Sequence, residues 1–128
     1  MTDSRLEMFR GENLVLEPLR EDDILRVKLT GTGDMDAIQP LSEYLPAVHE
    51  ELLRSATSEV SFDFRDLEFM NSSCFKSFVT FIDNAKSAKP GYRIKFLTAA
   101  RHHWQRRSLE ALRRLAMGLV TIESTEDA

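Results

Sequence analysis

Between Glu59 and Phe64 apolar and polar residues alternate strictly: Val60, Phe62 and Phe64 against Glu59, Ser61 and Asp63. A period of two marks a β-strand with one buried face. Past Asn71 the period changes. Cys74, Phe75, Phe78, Val79, Phe81, Ile82 and Ala85 fall on one stripe, with Ser73, Lys76, Ser77, Thr80, Asp83, Asn84 and Ser87 opposite, which is the spacing of an amphipathic helix. The stretch thus predicts a strand, a short loop with an apolar tip, and a helix that opens on Ser72 and Ser73. Asn71 stands where an N-cap belongs, its side-chain oxygen able to accept from a backbone N–H two or three residues on. Ser72 and Ser73 then fall in the first turn, where unpaired N–H groups and the positive end of the helix dipole favour an anion. Spacing alone leaves two readings open, an ordinary capping pair and a hydroxyl placed to carry phosphate.

The other elements follow from the same patterning. Residues 1–12 are polar and predict a loose arm. Residues 14–16 predict a first short strand, residues 18–23 a polar turn, and residues 24–30 a second strand with Val27 and Leu29 on one face and Arg26 and Lys28 on the other. A hairpin joins the two, with a turn longer than the tightest kinds. Gly31-Thr32-Gly33-Asp34 ends that strand in a loop able to adopt positive φ. Residues 36–44 predict a short or irregular turn, and a helix starts near Pro46, because proline suits a first helical position. Leu45, Val48, Leu52 and Ala56 line its inner face. After the breaker Ala88-Lys89-Pro90-Gly91, Tyr92, Ile94 and Phe96 alternate in a further strand. Residues 103–117 form a last helix with Leu109, Leu112, Leu115 and Ala116 inward, Gly118 stops it, and residues 119–123 make a short edge strand. Strand–helix alternation from Ile24 onward implies right-handed crossovers and a largely parallel sheet. Because three strands alternate instead of being solidly apolar, helices cover one face and leave the other comparatively open. On that open face Asp63 should lie between Lys28 and Lys95.

With 128 residues, one domain is the default, assigned to residues 13–123 with an acidic tail over 124–128. No apolar run reaches membrane-spanning length and the first residues lack a signal-peptide core, so no membrane partner is expected. A single cysteine excludes an internal disulfide framework and fits a reducing compartment, the cytoplasm. Cys74 lies on the apolar stripe and reads as a small buried hydrophobe, slow to alkylate, in preference to a redox thiol. The net charge of −4 hides a dipolar distribution. From Lys86 to Arg114 the only acid is Glu110, against nine bases. Arg106, Arg107, Arg113 and Arg114 read as a solvated helix face within ion-pairing reach of Glu110; an acidic protein partner comes second, and the negative total weighs against nucleic acid. His102 and His103 are adjacent and cannot face one site, and His49 has no second ligand spaced with it. No metal, cofactor or catalytic constellation emerges, so the chain reads as a non-enzyme.

The run Phe69-Met70-Asn71-Ser72-Ser73-Cys74-Phe75 resembles the Phe-Met-Asp-Ser-Ser-Gly-Leu signature of STAS domains, the anti-sigma factor antagonists. Asn71 replaces the Asp and Cys74 the Gly; Asn caps a helix about as well as Asp. The variant Asn-Ser-Ser-x-x-Lys, ending at Lys76, is similar to the SiaC-type phosphoproteins, a STAS-like branch with Asn-Thr-Ser at this place. The loop at Gly31 to Asp34 matches in part the Gly-Glu-Leu-Asp loop of the family, which lies beside the phosphorylated serine. The resemblance implies an α/β fold of the STAS (SpoIIAA-like) kind, a mixed, mainly parallel sheet with its helices mostly on one face. It implies phosphorylation at Ser72, with Ser73 the alternative, Asn71 as the cap beside the phosphosite, and Thr32, Asp34, Ser73 and Lys76 as partner-binding positions. The implied partners are a protein kinase or anti-sigma-like protein and a resetting phosphatase, with the chain itself a monomer or weak dimer. The rival reading is a scaffold or basic-patch binding module in which Ser72 is only structural.

Overall fold

The computed structural model describes residues 6–125. A six-stranded sheet runs in the order β1 (Phe9–Arg10), β2 (Leu14–Glu21), β3 (Ile24–Gly33), β4 (Glu59–Met70), β5 (Arg93–Ala99), β6 (Val120–Thr125). The first three strands are antiparallel to one another and the last four parallel. The helices α1 (Ile38–Arg54), α2 (Ser72–Lys86) and α3 (His103–Leu115) bridge successive parallel strands. Because strand order follows chain order and crossovers share one hand, all three helices pack on the same face. That face carries one core: Leu16, Leu25, Val27, Phe62, Phe64, Ile94 and Phe96 from the sheet meet Leu45, Val48, Phe78, Ile82, Leu109 and Leu112 from the helices. The mixed, one-sided α/β architecture is the one the alternation and the serine signature predict.

Several boundaries differ from the sequence reading, each for a physical reason. Part of the arm is structured: Leu6 is buried, Phe9 and Arg10 pair with Leu16 and Val15, and the Tyr44 hydroxyl donates to the Glu7 carbonyl at 2.8 Å; residues 1–5 lie outside the described residues. β2 continues through Pro18 to Glu21, so the hairpin turns on Asp22 and Asp23 alone, with Asp22 at φ 53°. α1 begins at Ile38, eight residues before Pro46, and keeps the proline inside. Leu41, Leu45, Val48 and Leu52 form one buried stripe across it, and that packing outweighs the roughly 3 kcal/mol that an internal proline costs. Ala56 is not on the stripe: it sits beyond the helix end at φ 52°, exposed, while Thr57 N–H closes back on Leu52 O at 3.1 Å. In α3, Leu115 is 41% exposed, because the helix ends there while Leu109 and Leu112 stay fully covered. β6 extends to Thr125, taking in the first residues of the stretch read as tail.

β4 reaches Met70, well past the end of its alternation at Phe64. Lys28 and Thr30 oppose Asp63 and Asp66, and Gly31 and Thr32 oppose Leu67 and Phe69, so β4 carries an extra residue at each of two bulges. A bulge shifts the facing of every residue beyond it. The first bulge thereby turns Leu67 into the core, and the second restores the original phase, with Met70 inward and Phe69 outward and 49% exposed.

The uncovered sheet face is an ion-pair mosaic. Lys28 and Asp63 are register partners, and Lys95 lies on the same face opposite Ser61. Asp63 is almost wholly buried there. Its carboxylate accepts from the Arg65 backbone N–H at 3.0 Å, from Arg65 Nε at 2.9 Å and from Arg65 Nη2 at 2.7 Å. Lys95 instead bridges Glu59 and Glu123 at 3.7 and 3.5 Å. Burial pushes the Asp63 carboxyl up, but the hydrogen bonds and charge of Arg65, with Lys28 behind them, outweigh it and hold it below the ordinary 3.8. A carboxyl lowered in the folded state adds stability above its unfolded value, and that stability is lost as pH falls through the folded one. We therefore expect Asp63→Asn to cost about 1–3 kcal/mol at neutral pH and to flatten the fall in stability below about pH 4, measured by urea unfolding across the acid range. Equal acid sensitivity in both proteins would show that Asp63 does not drive it.

Candidate functional site

The second bulge and the end of β3 bring two segments together at the carboxyl edge of the sheet. Asn71 N–H donates to Gly33 O at 2.7 Å, tying the start of α2 to the end of β3. Gly31 has φ +111°, and a Cβ there would stand 2.0 Å from the Asn13 carbonyl oxygen, so only glycine permits this approach. The neighbouring Thr32 N–H uses that carbonyl at 2.8 Å. Thr32 Oγ1 donates to Asp34 Oδ2 at 3.3 Å, whereas Asp34 Oδ1 is buried with no hydrogen-bond partner.

Asn71 caps α2 as its position predicts. It is extended, at φ −77° and ψ 173°, and its Oδ1 accepts from Cys74 N–H at 2.8 Å. Ser72 and Ser73 follow as the first two helical residues and both are exposed, as is Lys76 one turn on. The stripe beneath them is covered: Cys74, Phe78, Phe81, Ile82 and Ala85 are buried and Phe75 and Val79 half-buried. Of the positions singled out in the sequence, Thr32, Asp34 and Asn71 are thus locked into one hydrogen-bonded junction. Ser72, Ser73 and Lys76 stand on the exposed first turns of the helix that leaves it. Two apolar residues at this edge carry no polar signature: Phe69, facing outward beyond the second bulge, and Met35, 81% exposed directly after Asp34. The broken apolar spacing Phe64, Leu67, Met70 is the trace of the bulges that a search for strict alternation passes over.

Cys74 is fully buried, with its Sγ 3.7 Å from Asp34 O. Burial, reinforced by the charge of Asp34, pushes its thiol up to about 11, against the lowering that a helix N-terminus by itself favours. Among the described residues no group of three or more His, Cys, Asp or Glu side chains is placed to hold a metal ion, and no helix is long and apolar enough to cross a membrane.

No protein-family model and no curated protein matches the chain. Solved structures do. An anti-sigma factor antagonist from Mycobacterium paratuberculosis superposes with a TM-score of 0.64 at 15% identity, over 88% of both chains. A chain of the complex between the diguanylate cyclase SiaD and its activator SiaC from Pseudomonas aeruginosa gives 0.68 at 14% identity, over 92% of this chain and 98% of that one. The Bacillus cell-fate determinant SpoIIAA in its phosphorylated form gives 0.55 at 14% identity, over 86% and 90%. The chain therefore has the fold of the anti-sigma factor antagonists.

Two outcomes follow from this geometry. Asn71→Ala removes the cap from Cys74 N–H and should lower stability by about 1 kcal/mol, read from denaturant midpoints, while Asn71→Asp should leave it nearly unchanged. Cys74 should react with a thiol reagent at pH 8 only as fast as the protein opens; labelling at the rate of a free thiol in the native state would contradict the buried, neutral sulfur.

Proposed function

We propose that this chain is a partner-switching regulator whose binding to a protein partner is controlled by phosphorylation of Ser72. The observation that carries the reading is the exposed Ser72 hydroxyl at the first position of a helix capped by Asn71 and tied to the Gly31 to Asp34 loop. It occurs on a fold shared with an anti-sigma factor antagonist and with a structure of SpoIIAA in its phosphorylated form. A phosphate at Ser72 gains from the N–H groups and dipole at the α2 terminus, so this domain need not rearrange. The change lies in what the surface presents. A phosphoserine adds about −1.5 to −2 charge to an edge that already holds Asp34 and displays the apolar Phe69 and Met35. A partner that buries those apolar groups has to desolvate the new charge, with Lys76 as a cation one turn on.

The domain binds and is modified; it does not itself catalyse. Ser73, Lys76, Thr32 and Asp34 belong to the docking surface, a kinase or anti-sigma-like protein is the partner, and a phosphatase resets the switch. The Asn-Ser-Ser run and the structural likeness to the SiaD–SiaC complex support a second partner class, a signalling enzyme activated by the unmodified form. Both classes share the same switch.

Intact-mass analysis of the protein from its native host should show a phosphorylated fraction that Ser72→Ala abolishes with thermal stability nearly unchanged. Ser72→Asp should weaken the native partner by about tenfold or more, or roughly 1.4 kcal/mol. If neither serine takes up phosphate and Ser72→Asp binds every native partner as tightly as wild type, the scaffold reading replaces this one.

A further inference from the structure

Away from the α2 terminus, the ends of β5 and β6 and the first turns of α3 enclose a cleft of about 370 Å³. Its size lies at the lower end of the range for small-molecule sites, and it occupies the place where open parallel sheets present ligand crevices, beyond the carboxyl ends of the strands. Thr98 and Ser124, register partners on the helix-covered face, supply hydroxyls to its floor beside Ile122. Thr98 is only 6% exposed, lines the cleft, and makes no side-chain hydrogen bond among the described residues, although its carbonyl accepts from Thr125 Oγ1 at 3.1 Å. A hydroxyl so nearly buried and left unpartnered is one that a ligand or solvent must satisfy.

The charged groups around it favour an anion. Arg106 lines the cleft and has no ion pair among the described residues. Glu110, the one acid of the wall, is taken up by Arg113, whose Nε donates to its Oε1 at 3.0 Å and whose Nη2 also reaches it. Arg114 stands 4.0 Å from the same carboxylate. Glu110 is therefore neutralised from its own helix and Arg106 is left as the free cation. His102 is held by its Nε2–H on Arg65 O at 3.1 Å, fixing the ring that walls the opposite side beside His103. An imidazole wall, a methyl-bearing floor and one unpaired guanidinium suit a compact anion that carries a flat or apolar substituent.

We propose that this cleft is a binding site for a small phosphate monoester, with Arg106 forking onto the phosphate oxygens, the Thr98 hydroxyl donating to one of them, and the substituent lying against Ile122 and the His103 ring. The site shares no residue with the Ser72 edge and stands whether or not Ser72 is phosphorylated. Bidentate guanidinium contacts are strong and geometrically selective for phosphate.

The test is an amide NMR titration of the full chain with inorganic phosphate and, separately, phenyl phosphate at low salt. Saturable shifts at Thr98, Ala99, His103 and Arg106 are expected, with phenyl phosphate binding more tightly than phosphate and with dissociation constants of about 10 mM or below. Arg106→Gln, at an exposed position, should weaken phenyl phosphate by about tenfold with an unchanged melting curve, and Thr98→Val should weaken it by a smaller factor. Three results would each overturn the proposal: no saturable shift with either probe, shifts centred on Ser72 to Cys74 instead of the cleft, or equal binding by Arg106→Gln and wild type.

Discussion

Phe62 and Phe64, on the covered face of β4, meet Phe78 of α2 edge-on at ring-centroid separations of 5.3 and 5.2 Å, and Phe96 of β5 closes the cluster at 5.8 and 5.5 Å. All four rings are fully buried. Edge-to-face aromatic contacts add about 0.5–1.5 kcal/mol each beyond the area they bury, and their geometry resists sliding. Phe81 extends the cluster to Phe62 at 5.2 Å and towards Tyr92 at 6.0 Å, while His49 of α1 meets both Phe81 and the Tyr92 hydroxyl. The position and pitch of α2 relative to the central strand follow from this packing. So does the placement of its first turn, where Ser72 and Ser73 are displayed. A helix held along its whole buried stripe can present a modifiable hydroxyl at its tip without the modification being felt in the core.

A second constraint works at the other end of the same unit. The two bulges of β4 lengthen it relative to β3, and Asn71 N–H then lands on Gly33 O. Had the strand kept a regular period, Leu67 would face away from the core. The lengthened strand thus sets the exposed Phe69 beside a capped helix, the combination on which the proposed docking edge depends. Burial of Cys74 belongs to the same junction, since its sulfur packs against the Asp34 backbone beneath the exposed turn.

Charge is distributed to match this division of labour. The open sheet face satisfies itself: Asp63 with Arg65, Asp66 with Lys28 and Arg101, Lys95 with Glu59 and Glu123. Exposed pairs of this kind contribute little stability individually, but they leave few uncompensated charges on a broad uncovered surface. On α3, by contrast, Arg106 and Arg107 are exposed and make no ion pair among the described residues, while Arg113 and Arg114 share Glu110. A dipolar molecule results, with its acidic helix junction and its basic last helix offering different chemistries to different ligands.

Local pattern is enough for the elements whose residues face one way throughout. Alternation at Val60, Phe62 and Phe64, the apolar stripe of α2 and the Asn71 cap are local properties set by backbone period and hydrogen-bonding capacity, and each is found where the pattern puts it. The one-sided placement of helices follows from the polar half of the same alternation, and the serine run is recognisable as it stands. Other features depend on partners distant in the chain. α1 runs through Pro46 because Leu41 finds cover in the core, a gain that no local propensity records. β4 continues through two bulges because β3 offers it hydrogen-bonding partners as far as Gly33, and Leu67 is turned inward in consequence. Phe9 and Arg10 become a strand because β2 has a free edge to pair with. The cleft beneath α3 exists only where β5, β6 and that helix converge, so the meeting of Thr98 with Arg106 has no trace in the spacing of either. Period and capping act within a few residues, whereas burial and strand pairing are settled between segments that meet only once the chain has folded.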